Sequence, residues 1–122
     1  MKKTPAYFQD ESLTLFLEDT IEQMKKMPKD FGNMFFAAPP YYLSNGGITV
    51  KSGKMVSVNK AEWDESKGMA EDFKFHNKWI KAAQRVLKPN GTIWISGTYH
   101  SIYLCGHALQ NNDFSILNDI SW

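Results

Sequence analysis

The feature that most constrains this chain is the stretch Met34-Phe35-Phe36-Ala37-Ala38-Pro39-Pro40-Tyr41-Tyr42-Leu43-Ser44-Asn45-Gly46-Gly47, where an apolar run stops against two prolines, two tyrosines and a glycine pair. The apolar residues read as a buried strand. The first proline removes a ladder donor and pushes Ala38 toward an extended conformation, so the strand must finish at about Ala38. In an open parallel sheet the ends of such strands border the crevice where ligands sit, which places Tyr41 and Tyr42 at a site mouth as a stiff aromatic shelf.

The flanks give the fold class. Leu13, Leu15 and Leu17 carry a mixed strand signal, Asp19-Thr20 cap a short helix with Ile21, Met24 and Met27 at helical spacing, and Pro28 ends it before the next strand from Asn33 to Ala37. This opening reads as a β-α-β unit with a parallel pair. Phe73, His76, Ile80, Ala83 and Leu87 define an amphipathic helix over about residues 71–87, closed by Lys88-Pro89-Asn90-Gly91. Thr92 to Ser96 is a second β-rich run. A further helix carries Ile102, Cys105, Ala108 and Leu109, and Phe114 to Trp122 alternates into a last strand that stops with the chain, as if further sequence belonged after it. The expectation is an α/β chain with a mostly parallel sheet and helices packed on it, one partial domain over residues 1–122. Residues 1–11 are expected to be a loose arm, and residues 43–66 a long loop over the site.

Within that loop, Val50, Met55, Val56 and Val58 are spaced for a short hairpin with Ser52-Gly53 at its turn. Lys51, Lys54 and Lys60 lie in a stretch from Leu43 to Lys60 that contains no acid, and with Asn45 they are candidate DNA contacts. The net charge of +1 does not by itself announce nucleic acid. No apolar run is long enough for a membrane span, the basic start lacks a signal-peptide core, and the lone Cys105 fits a reducing compartment, so a cytoplasmic location is expected. His76, His100 and His107 have no Cys or acid at metal-ligand spacing, and no metal site is expected. His76 and Cys105 read as core residues, and Trp63, Trp79 and Trp94 as packing residues. Asp64 and Glu65 read as surface charges unless the loop folds back.

Ala38-Pro39-Pro40-Tyr41 resembles the Asp-Pro-Pro-Tyr signature of the DNA amino-methyltransferases, which move a methyl group from S-adenosylmethionine to the exocyclic amine of adenine or cytosine. The resemblance continues through Leu43-Ser44-Asn45-Gly46-Gly47, Lys54 to Lys60 with Trp63-Asp64, and Arg85 to Gly97, and it extends over about residues 16–122. It is closest to the group whose catalytic motif precedes its cofactor motif. The resemblance implies a Rossmann-like methyltransferase sheet, here incomplete, and an adenine-specific enzyme of the restriction-modification type acting on double- or single-stranded DNA. Such an enzyme must take its target base out of the helix. By resemblance, Tyr41 stacks on the base, and the signature acid with the first proline's carbonyl accepts the amine's hydrogens. Those positions are Ala38 and Pro39, with Pro40 holding the turn, and alanine has no side-chain acceptor.

The resemblance also implies S-adenosylmethionine as cofactor, with Asp19 and Tyr42 at its edge, but the Phe-x-Gly-x-Gly segment that chiefly holds it in the family is absent from this chain. The expectation is therefore a chain inactive or severely impaired alone. The alternatives are a DNA-binding module without chemistry, or one half of a split enzyme completed by a partner chain or a second copy through an open C-terminal edge.

Overall fold

A computed structural model describes residues 5–44, 48–57 and 61–122. Its elements in chain order are β1 (Phe8–Gln9), β2 (Thr14–Leu15), α1 (Thr20–Lys26), β3 (Gly32–Ala37), β4 (Ile48–Lys51), β5 (Lys54–Ser57), a 3-10 turn (Glu62–Asp64), α2 (Met69–Val86), β6 (Leu87–Ile95) and α3 (Ile102–Asn111). The architecture is mixed α/β. Its centre is the parallel pair β3–β6, joined by the crossover through α2.

Local chemistry accounts for these boundaries. Asp19 caps α1, its carboxylate accepting the Glu22 N–H at 3.0 Å, and Pro28 follows the last turn. Gly68 precedes α2, and the buried Asp72 carboxylate reaches back to accept from the Lys67 N–H at 2.9 Å and from the Ser66 hydroxyl. Ser52 and Gly53 both take positive φ, 52° and 76°, which is the twist a two-residue hairpin turn requires, and β4 and β5 pair antiparallel around them as the spacing predicts.

In the central pair, Phe35 lies opposite Ile93 and Ala37 opposite Ile95, and these four pack on a core of Ile21, Met24, Trp79, Ile80, Ala83, Val86, Cys105 and Ala108. Helices cover that face. The alternate residues Met34, Phe36 and Trp94 point the other way and are exposed by 64%, 67% and 45%. The run read as a buried strand is therefore buried on one face only, and Trp94 is not a core residue. The Leu87-to-Ile95 strand also absorbs the Lys88-Pro89-Asn90-Gly91 segment, which bulges out between the Gly32–Leu87 and Met34–Thr92 pairs.

Two expected strands differ. The Leu13-to-Leu17 signal does not open a parallel β-α-β unit: β2 pairs antiparallel with β1, within the segment expected as a loose arm, and neither joins β3. Residues 114–122 form no strand, since the alternation alone cannot supply ladder partners, and Trp122 stands entirely in solvent. Among the described residues no helix is long and apolar enough to cross a membrane.

Candidate active site at the end of β3

The chain leaves β3 through Ala38, Pro39 and Pro40, which line a cleft of about 340 Å³ together with Asp19, Phe75 and Trp63. Asp19 comes from the start of α1, so the structure brings the cofactor-edge candidate beside the signature positions. Trp63, read as a packing residue, is 64% exposed and forms part of the cleft wall.

Among the described residues, Tyr41 is held at three points. Its N–H donates to Asp64 Oδ1 at 2.8 Å, its carbonyl accepts from Thr98 Oγ1 at 3.0 Å, and its hydroxyl is 2.6 Å from Ser96 Oγ. Ser96 and Thr98 sit just past the end of β6, so the two parallel strands present their ends together. Neither residue stood out in the sequence, and nothing local signals their role; they matter only once β6 lies beside β3.

Asp64 is the larger correction. It is buried, with 1% exposure, because the loop does fold back. Its carboxylate accepts from the Tyr41 and Tyr42 N–H groups through Oδ1, and from the Leu43 N–H and the Ser44 hydroxyl through Oδ2, all at 2.8 to 3.0 Å. Burial alone would raise its pKa, but the Ser44 hydroxyl and the three backbone donors outweigh that and hold it below the ordinary carboxylate value.

Tyr42 adopts φ 55°, a left-handed conformation that a bulky residue keeps only when its surroundings over-determine it. Asp64 fixes its backbone and His76 fixes its ring. The Trp79 indole N–H donates to His76 Nδ1 at 3.0 Å, and an indole can only donate, so the His76 hydrogen sits on Nε2 and is given to the Tyr42 hydroxyl at 3.0 Å. The Cys105 thiol also lies 3.4 Å from Nδ1. Burial, opposed by the Asp72 carboxylate, pushes the His76 pKa down to about 4, and burial pushes the Cys105 thiol up to about 12. His76 and Cys105 are core residues as expected. Tyr42, 5% exposed, turns into the same core and away from the cleft.

Lys51 and Lys54 face each other across the exposed β4–β5 turn. Asn45 and Lys60 lie outside the described residues. Among the described residues no group of three His, Cys, Asp or Glu side chains is placed to hold a metal ion.

The sequence pattern of the DNA methylase family matches residues 32–122, from the first residue of β3 through α3 to the last tryptophan. The chain belongs to the DNA methylase family. It is 46% identical over 119 residues to the Type II methyltransferase M2.DpnII of Streptococcus pneumoniae, covering 98% of this chain and 44% of that one. It is similar also to M2.LlaDCHI of Lactococcus lactis subsp. cremoris, at 44% identity with the same coverage. M2.MboI of Moraxella bovis is 43% identical, over 95% of this chain and 43% of that one. This DNA methylase chain thus spans less than half the length of these relatives.

Proposed function

We propose that this chain is the catalytic-loop portion of an adenine-specific DNA methyltransferase, and that its β3 cleft receives a base extruded from DNA. The observation that carries the reading is the clasped Tyr41, tethered through its backbone N–H and carbonyl and its ring hydroxyl, and following directly on Ala38, Pro39 and Pro40 in the cleft wall. Stacking on such a ring is worth about 1–3 kcal/mol per base. The Pro39 carbonyl is the acceptor left for the amine's hydrogens. Ala38 supplies none, and a positioned acid or base contributes about 10²–10⁴ in rate, so binding persists in this reading while transfer is severely slowed. Lys51 and Lys54 fit as phosphate contacts that position DNA without reading it.

The methyl donor of the family, S-adenosylmethionine, would supply an electrophilic methyl group. The described residues do not make a site for it. Asp19 borders the cleft, but the Tyr42 hydroxyl is committed to His76 inside the core. The exposed sheet face of Met34, Phe36 and Trp94 favours a second reading, in which another polypeptide or a second copy completes the sheet and the cofactor site.

DNA carrying 8-azidoadenine tests the base pocket. Irradiation is expected to label a peptide containing Pro39 to Tyr41, and Tyr41→Ala is expected to lose that label. Labelling confined to the hairpin or the helices, unchanged in Tyr41→Ala, would contradict the reading.

A further inference from the structure

On α2, Lys74, Lys78, Lys81 and Arg85 recur at spacings of four, three and four, which puts them on one face of the helix over a span of about 16 Å. All four are exposed. Like charges at these spacings work against a helix, and the acids of α2, Glu71 and Asp72, are confined to its first turn. The mutual repulsion of Lys74, Lys78 and Lys81 therefore contributes nothing to the stability of the helix that carries them.

Across from the stripe, Lys25 of α1 and Lys29 beyond its end face Lys78, Lys81 and Arg85 over a cleft of about 560 Å³ with no acidic residue in its lining. This is a marked concentration in a chain with 14 basic and 13 acidic residues. Arg85 ties α2 to α1 by donating to the carbonyls of Met24 and Met27, at 2.5 and 2.7 Å, and so fixes the cleft's shape. Lys25 forms an exposed pair with Glu22, which competes little in water. The side chains of Lys78 and Lys81 form no ion pair or hydrogen bond with the described residues. Ile21 is a wall both of this cleft and of the β3 cleft, so the two are neighbours around the start of α1.

We propose that the α1–α2 cleft and the α2 stripe form a second nucleic-acid contact, a track for the sugar–phosphate backbone of the DNA whose base enters the β3 cleft. A row of fixed cations on a rigid helix matches a regular polyanion and carries no base specificity. The link to an extruded base rests on the function proposed above; the backbone contact does not, and it is measured separately.

The test is the salt dependence of affinity for mixed-sequence duplex DNA, comparing Lys78→Gln/Lys81→Gln with Lys67→Gln/Lys88→Gln, which removes the same charge elsewhere. The stripe pair is expected to lower affinity about tenfold at low salt and to reduce the slope of log affinity against log salt by about 1.8. The second pair and Tyr41→Ala are expected to keep the slope. A slope unchanged in the stripe pair, an equal change in both pairs, or stripe-dependent binding of polyglutamate in preference to DNA would each overturn the proposal. Acetic anhydride labelling of the unaltered chain gives the same answer without a variant. DNA is expected to protect Lys74, Lys78 and Lys81 but not Lys67, and equal labelling with and without DNA would overturn the track.

Discussion

The Asp64 side chain binds four consecutive residues of the signature loop, and its removal isolates that role. A hydrogen bond to a charged group contributes about 1.5–3 kcal/mol, and Asp64→Ala would remove the acceptor shared by three backbone N–H groups and a hydroxyl. The expected loss is about 3 kcal/mol in denaturant unfolding, with hydrogen exchange speeding first at the Tyr41, Tyr42 and Leu43 amides. His76 carries a pH dependence. Its pKa is about 4 in the folded chain against an ordinary 6.5, so between those values the unfolded chain binds a proton that the folded one refuses. Stability is expected to drop as pH is lowered from about 6.5 to about 4, by at most about 1.4 kcal/mol per unit, and His76→Leu is expected to remove that slope. Asp64 acts lower: its depressed pKa makes its contribution full above the ordinary value of 3.8 and lost as pH falls through the folded value. His76 was legible as a core histidine from its place on the apolar stripe. Asp64 was not, because its partners lie 20 to 23 residues before it, and a polar residue beside a tryptophan carries no local sign of burial.

Among the elements, the β3–β6 pair does most to place the site, and its irregularity is specific. A Cβ at Gly91 would lie 3.0 Å from the Lys88 carbonyl oxygen and from Leu87 Cδ2, and 3.2 Å from the Asn33 carbonyl oxygen. Two of those neighbours are backbone and cannot give way cheaply. Gly91→Ala is expected to destabilise the fold by about 1–3 kcal/mol, read by thermal unfolding, and to shift the Asn33 and Lys88 amide resonances. The helices were legible from periodicity and capping: α1 starts at its Asp19 cap, and α2 runs close to the span its apolar stripe predicts. Strands were harder. Leu13 to Leu17 and Phe114 to Trp122 alternate well, yet alternation gives only two faces and never says which strand, if any, lies alongside. The Ser52-Gly53 hairpin was readable because its turn chemistry is local.

For the whole molecule, one covered and one bare face of the sheet agree with a chain that spans 44% of M2.DpnII, and the account turns on what the signature loop can do when the rest is supplied. The decisive measurement joins this chain to the remaining part of M2.DpnII and follows labelled methyl transfer from S-adenosylmethionine to DNA, with and without Ala38→Asp. Transfer is expected to be at least about 10²-fold faster in the Ala38→Asp chimera, because the added carboxylate would accept the amine's hydrogens. Equal rates with and without the substitution, at measurable transfer, would show that position 38 does not carry that chemistry and would contradict the assignment of the β3 loop as the site.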